Sequence, residues 1–501
     1  MADVQAAPQR AEMRIGRESA LTFGGVVVNA GLAFVVTWMI ARGLGAGATG
    51  DFFLLTALFM ISTSVIGLGA DTGLVRALSG ARAVGQHRDI RPTLRAALLP
   101  VIVVGSVLVT VLLLSAGQLA SWLALGSSGA STLRLLALAL VPAALTGILL
   151  AGSRGLGRVR TYTLVQNLFI PICRLLMVAA AVVLLGSTSA VVWAWAVPLF
   201  LAAAIAALAL SRQVGAETDR GVAVPATERK VISRRFWAFS LPRGGSIIIE
   251  RALDWADVLL VIALLGPRAG GVYGVVTRIV QAGGMLEAAL RIVLGPRLST
   301  AIAQGEHRAA ERLYQQVTQF LILGAWPFYL AVAVFADVIL GLFGPEFISG
   351  APALIVLASA MALKNMAGAL QTVLLMAGRS SWQLRNKAIQ LVVLIVLAVV
   401  LLPLWGLIGA ALAFAVSVLV DTLLAVFQVH RLLGFTSELH TIAFSSALPL
   451  LVVLGGSLVA RLLASGAGTP VHLAALAAVL LVYAAVVLRA LKKGVLTHDH
   501  Q

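Results

Sequence analysis

Apolar residues in this chain come in blocks of roughly twenty, one after another along nearly its whole length. A helix of that length rises about 30 Å, the thickness of a bilayer's hydrocarbon core. Inside lipid no water is present to satisfy the backbone, so each block must bond its own N–H and C=O groups, and a helix does this. Composition agrees: 60% of residues are hydrophobic and 11% are charged, against about 25% charged in soluble domains. The expected fold class is therefore an all-α polytopic membrane protein.

The net charge of +17 could suggest a nucleic-acid partner. The basic residues, however, lie in short loops between apolar blocks, where lipid headgroups and topology account for them. No nucleic acid is expected. The single cysteine, Cys173, lies within an apolar block and excludes an intramolecular disulfide. Residues Met1 to Glu18 are polar, and the first apolar block lacks a clear cleavage site, so no signal peptide is expected.

Fourteen spans are read. The first seven cover 20–41, 52–69, 98–115, 132–152, 162–185, 190–210 and 238–265. The others cover 271–293, 317–340, 352–376, 388–403, 406–428, 442–461 and 470–488. With the N-terminus placed inside, alternate loops hold about 27 Lys and Arg against about 4 outside, which predicts cytoplasmic termini. Arg76, Arg82, Arg88, Arg154, Arg158, Arg379, Arg385 and Lys387 are among the inside set; Arg42, Arg134, Arg268 and Arg461 form the outside set.

An internal repeat organises these spans. Leu44-Gly45-Ala46-Gly47-Ala48-Thr49-Gly50-Asp51-Phe52 matches Leu265-Gly266-Pro267-Arg268-Ala269-Gly270-Gly271-Val272-Tyr273. Gly85-Gln86-His87-Arg88 matches Gly305-Glu306-His307-Arg308, and Ala151-Gly152 with Arg154 and Arg160 parallels Ala377-Gly378 with Arg379 and Arg385. Short glycine turns also recur between unrelated helices, but three matches in one order favour duplication. Six helices separate the copies, so both would enter the membrane in the same direction, and transporters built this way place their substrate path between the copies. The expected organisation is an N-terminal six-helix lobe over 1–210, a cytoplasmic linker over 211–235, a C-terminal six-helix lobe over 236–430, and two added helices with the tail over 431–501.

A charge inside a bilayer is costly and is a functional candidate by default. In the seventh span Arg243, Glu250, Asp254 and Asp257 share one helix face, with Arg251 to the side; this face is expected to line a cavity. A structural ion-pair network, with Arg243 snorkelling to the interface, is the plainer reading. In the eighth span Arg278 matches Asp257 in depth and is expected to pair with it; Glu287 lies further along, and Arg291 is close enough to the interface to snorkel. Arg174 and Lys364 sit near the middle of the fifth and tenth spans. The two cations suit an anion, although a neighbouring carboxylate would neutralise either equally well. Asp421 lies in the twelfth span with a similar ambiguity. Asp71, at the end of the second span, is read as interfacial, and His498 and His500 beside Asp499 as solvated. A phosphate-binding Gly-Lys-Ser/Thr loop is absent from the sequence, and the histidines have no metal-ligand spacing, so no ATP hydrolysis, metal or cofactor is expected.

The chain resembles the MOP exporter superfamily, in its polysaccharide-flippase branch. The resemblance is carried by Leu44 to Phe52, Asp71-Thr72-Gly73-Leu74-Val75-Arg76, Leu241-Pro242, and Asp254-Trp255-Ala256-Asp257. Gly271-Val272-Tyr273, Gly295-Pro296-Arg297-Leu298 and Val373-Leu374-Leu375-Met376-Ala377-Gly378-Arg379 extend it over most of the chain. It implies a transporter rather than an enzyme, which moves a polyprenyl-pyrophosphate-linked oligosaccharide across a bacterial inner membrane by alternating access. By position and chemistry, not by a matched motif, Arg174, Arg243, Arg251, Arg278 and Lys364 would meet the anionic substrate. Glu250, Asp254, Asp257, Glu287 and Asp421 would line the cavity or bind a coupling cation. The implied partners are a lipid-linked glycan, membrane lipids and other polysaccharide-assembly proteins. Two alternatives stay open: a cation-coupled multidrug or metabolite antiporter of the same superfamily, which the carboxylates would suit, and a membrane glycan polymerase, which the lack of a large external loop disfavours.

Overall fold

Where an apolar segment must reverse direction with few residues, a glycine in a backbone conformation closed to other residues does it most cheaply. Such glycines punctuate this protein. The computed structural model describes residues 2–217, 224–377, 379–434 and 439–492, leaving out the side chains of 2–21, 23, 291–297, 303, 380, 433, 439–441 and 491–492. Every regular element among the described residues is helical. The Arg291 side chain and the tail around His498 to His500 lie outside them.

Among the described residues ten helices are long and apolar enough to cross a membrane. Two of them each hold two expected spans: Ala2–Gly67 turns at Gly45, and Ser380–Leu433 turns at Gly406. The expected seventh and eighth spans fall on Ala226–Leu265 and on Pro267–Gly283 with Met285–Ala303, whose charges lower their hydropathy. The protein is thus an all-α multi-pass membrane protein, and its helices are compatible with fourteen spans.

The chain forms two compact units, Met1–Trp255 and Ala256–Gln501. In the first, Gly129–Gly155 is buried along most of its length, with Ile90–Trp122, Pro198–Glu217, Ala70–Ala83 and Ala2–Gly67 packed on it. Elsewhere in the unit Ala226–Leu265 approaches the turn after Ala2–Gly67 closely: a Cβ at Gly244 would fall 2.6 Å from the Leu68 carbonyl carbon, where Gly69 adopts φ +73°. Trp195 anchors the unit's aromatic core, edge-on to Phe52 and Phe59 at 6.3 and 5.3 Å.

In the second unit His307–Val334 is the helix on which others collect. Ala351–Met366 and Met285–Ala303 pack on it, and so does Pro449–Gly455 from the last pair of spans. That pair is fastened by polar contacts as well as apolar ones. The Tyr483 hydroxyl donates to the Leu323 carbonyl at 2.7 Å, and Arg461 meets Asp337 at 2.6 Å and the Val334 carbonyl.

The repeat is visible in the backbone of each unit. Gly45 has φ 80° and ψ 179°, and Gly266 has φ 88° and ψ 170°. Gly85 and Gly305 take φ 71° and 74°. The turn at each is closed in the same way, by Gln86 N–H to the Ala81 carbonyl and by Glu306 N–H to the Ala301 carbonyl. The third match needs a change of register. Arg158 N–H bonds the Ser153 carbonyl, and Arg379 N–H bonds the Leu374 carbonyl. By that bond the equivalent of Arg379 is Arg158 rather than Arg154, and Gly378 lies outside the described residues.

Candidate functional site

Two expected spans of the second unit are interrupted along their length. The eighth is broken at Gly284, between Pro267–Gly283 and Met285–Ala303. The tenth is broken over 367–369, between Ala351–Met366 and Leu370–Met376, where Gly368 has φ +68°. Each break exposes helix-end N–H or C=O groups that lipid cannot satisfy. At the tenth-span break protein groups meet them: the Tyr314 hydroxyl donates to the Ala367 carbonyl at 2.8 Å, and Trp326 Nε1 to the Ala362 carbonyl at 2.9 Å. Gly283 leaves room for the neighbouring helix, since a Cβ there would lie 2.6 Å from the Tyr329 ring.

The breaks also explain where two charges sit. Glu287 lies in the first turn of its half-helix and Lys364 in the last turn of its own. A helix N-terminus favours an anion and a C-terminus a cation, so each end stabilises its charge. The two charges then meet: Lys364 Nζ donates to Glu287 Oε2 at 2.8 Å, both side chains about one quarter exposed. Sequence reading placed both residues but took each span as continuous; Gly283-Gly284 and Gly368 were the available signals.

A second polar cluster lies in the same unit. Asp421, 2% exposed, receives Lys387 Nζ at 2.8 Å and the Gln371 amide at 3.1 and 3.0 Å. Lys387 also donates to Gln390, and the buried amides of Asn386 and Gln428 bond each other reciprocally at 2.9 and 2.8 Å. This network joins Leu370–Met376 to both limbs of Ser380–Leu433. Lys387 and Gln371 were missed as site residues. Lys387 falls at the edge of an apolar block and was counted as loop charge, although Asn386 and Gln390 beside it carry the polar signal.

On the seventh span the charges sort into pairs along the helix. Arg243 meets Glu250 at 3.4 Å and Arg251 meets Asp254 at 3.2 Å, all four side chains at least 40% exposed. Exposed pairs of this kind contribute little stability in water. Asp257 differs: it is buried, accepts the Val258 N–H at 2.8 Å, and acts electrostatically on the buried Tyr273 hydroxyl, which lacks full hydrogen-bond geometry. Arg278 donates to Gln281 Oε1 at 2.7 Å.

In the first unit Arg174 is held by one aromatic residue. Its Nε donates to the Trp195 carbonyl at 2.9 Å, and its guanidinium lies 3.8 Å from the centroid of the same residue's ring. Among the described residues no carboxylate pairs with it. Stacking leaves the guanidinium edge able to fork an oxyanion.

Comparison with known proteins places these features in a family context. Residues 15–302 match the model of a family described as polysaccharide biosynthesis protein. Over 437 residues the chain is 24% identical to a Haloferax volcanii protein named as probable low-salt glycan biosynthesis flippase Agl15, covering 85% of each. The structure resembles the lipid II flippase MurJ in an inward closed conformation, with a TM-score of 0.72 at 12% identity over 95% of this chain and 99% of that one. It also resembles an inward-facing multidrug transporter of the MOP superfamily, with a TM-score of 0.67 at 13% identity over 80% and 94%. At such identities the structural likenesses establish a shared fold.

Proposed function

This chain belongs to the polysaccharide biosynthesis protein family, and from that premise we propose that it is a flippase for a lipid-linked glycan. The match along 85% of a protein named as a glycan biosynthesis flippase carries this reading. The substrate is a polyprenyl-pyrophosphate-linked oligosaccharide, a repeat unit of a cell-surface polysaccharide, taken from the cytoplasmic leaflet and released at the outer one. The host membrane is a bacterial cytoplasmic membrane, and both termini lie inside, as loop charge predicts.

The polar part of such a substrate must leave water while its isoprenoid tail remains in lipid. Basic groups inside the membrane lower the cost for a pyrophosphate, and a lysine supplies a compact charge where an arginine supplies a planar fork. Lys364 suits the first role and Arg174 the second. Alternating access then presents the loaded site first to one side and then to the other. The chemistry is binding and movement; no covalent bond of the substrate changes.

The test is reconstitution of the full chain in liposomes carrying a fluorescent polyprenyl-pyrophosphate oligosaccharide. Protein-dependent loss of the label's accessibility on one leaflet, without ethidium transport, supports the reading. Ethidium transport with no movement of the lipid would assign the chain to multidrug export instead.

A further inference from the structure

The ion pair between Lys364 and Glu287 presents a problem for an anion site. The ammonium proposed to hold the substrate already holds a carboxylate at 2.8 Å. We propose that Glu287 is an internal stand-in for the substrate's phosphate oxygens: the arriving anion displaces it from Lys364, and the released carboxylate takes up one proton. The inference rests on the anionic-substrate reading above.

Three observations support the exchange. The first is that each charge of the pair sits at the helix end that favours it. Lys364 therefore carries no uncompensated charge before the substrate arrives. The second is that the pair bridges two interrupted helices, at Gly284 and at Gly368, so either partner can shift without bending a continuous helix. The third is that no described basic group other than Lys364 bonds the Glu287 carboxylate. Once Lys364 turns to another anion, Glu287 loses its one described cationic partner and faces the substrate's own negative charge, and like charge beside a partly buried carboxylate favours its protonated form. Before exchange the site holds ammonium and carboxylate. Afterwards it holds ammonium, the substrate anion and a neutral carboxylic acid, and the proton comes from water.

The surrounding groups do not supply a competing proton. Tyr329, on His307–Val334, acts electrostatically with Glu287, and its hydroxyl bonds the Val280 carbonyl at 3.4 Å. Tyr314 on the same helix is engaged with Ala367. On Ser380–Leu433, Lys387 and Asp421 bond each other. Arg278, on the helix before Gly284, bonds Gln281. Arg291 follows Glu287 by one turn, its side chain outside the described set.

Farnesyl pyrophosphate binding to the purified full chain tests the exchange, by calorimetry in two buffers of different ionisation enthalpy between pH 6 and 8. Wild type is expected to take up about one proton per ligand, and its affinity to fall as pH rises. Glu287→Gln removes the competing charge at nearly constant size; it should bind at least threefold more tightly at pH 8 with no proton uptake. Glu287→Gln combined with Lys364→Gln leaves no lone buried charge and so is expected to fold, and it should lose binding at least tenfold. Inorganic pyrophosphate, run in parallel, separates the sources: weaker binding assigns a lipid headgroup, and equal binding assigns the free anion. Equal affinity and no proton uptake in wild type and Glu287→Gln would overturn the exchange while leaving an anionic substrate intact. Absence of binding to wild type at every pH would overturn the substrate reading, and the exchange with it.

Discussion

Lys364 Nζ and Glu287 Oε2 stand 2.8 Å apart, joining the last turn of one interrupted helix to the first turn of another. Removing one partner leaves a charge at low dielectric, which costs about 3–5 kcal/mol for a fully buried pair and less here, at one-quarter exposure. Lys364→Gln and Glu287→Gln are each expected to lower the melting temperature of the detergent-solubilised protein. The double variant should lose less than the sum, with a coupling of about 1–3 kcal/mol. Independent effects would show that the pair does not form in solution.

Export should depend on charge at Lys364 rather than on size. In a strain relying on this protein, Lys364→Gln is expected to reduce surface glycan and raise the cytoplasmic-leaflet precursor, as is Arg174→Gln. Lys364→Arg should retain more export than Lys364→Gln. Normal export by both Gln variants would remove these residues from the substrate site.

The Asp421 network gives a stability test separate from transport. Asp421→Ala strands Lys387 and the Gln371 amide and is expected to cost about 3–5 kcal/mol. Exchange of both charges for apolar groups, Asp421→Leu with Lys387→Met, should recover most of that loss, since a well-packed apolar pair often replaces a buried ion pair without penalty. Melting curves of the three forms decide it; a double variant as unstable as Asp421→Ala contradicts the account.

Adjacent glycines on the seventh span should behave oppositely. A Cβ at Gly244 meets the Leu68 backbone at 2.6 Å, whereas at Gly245 nothing lies within 4 Å. Gly244→Ala forces two backbones apart and is expected to cost about 1–3 kcal/mol. Gly245→Ala should be neutral or stabilise by about 0.5–1 kcal/mol through helix propensity. Equal effects at the two sites would mean that this close approach is absent.

Depth alone suggests that Asp257 and Arg278 cooperate. Asp257→Ala and Arg278→Ala are expected to impair export individually, and the double change to cost less than their sum. Strict additivity at normal expression would separate them, leaving Asp257 to its buried neighbour Tyr273.

Much of the architecture was legible without coordinates because bilayer physics acts locally: a block of about twenty apolar residues must be a helix whatever its neighbours are. The duplication was legible too, since glycines such as Gly45 and Gly266 are required by a backbone conformation open to few other residues. The charged residues themselves stood out against the apolar background. Their partners did not, because a partner is set by packing between helices distant in sequence. Lys364 finds Glu287 across 77 positions and Lys387 finds Asp421 across 34, and periodicity within one helix carries no information about either. The interrupted spans escaped for a related reason. Gly284 and Gly368 interrupt runs whose hydropathy alone reads as continuous, and the breaks are sustained by bonds such as Tyr314 to Ala367 that only the folded helices bring together.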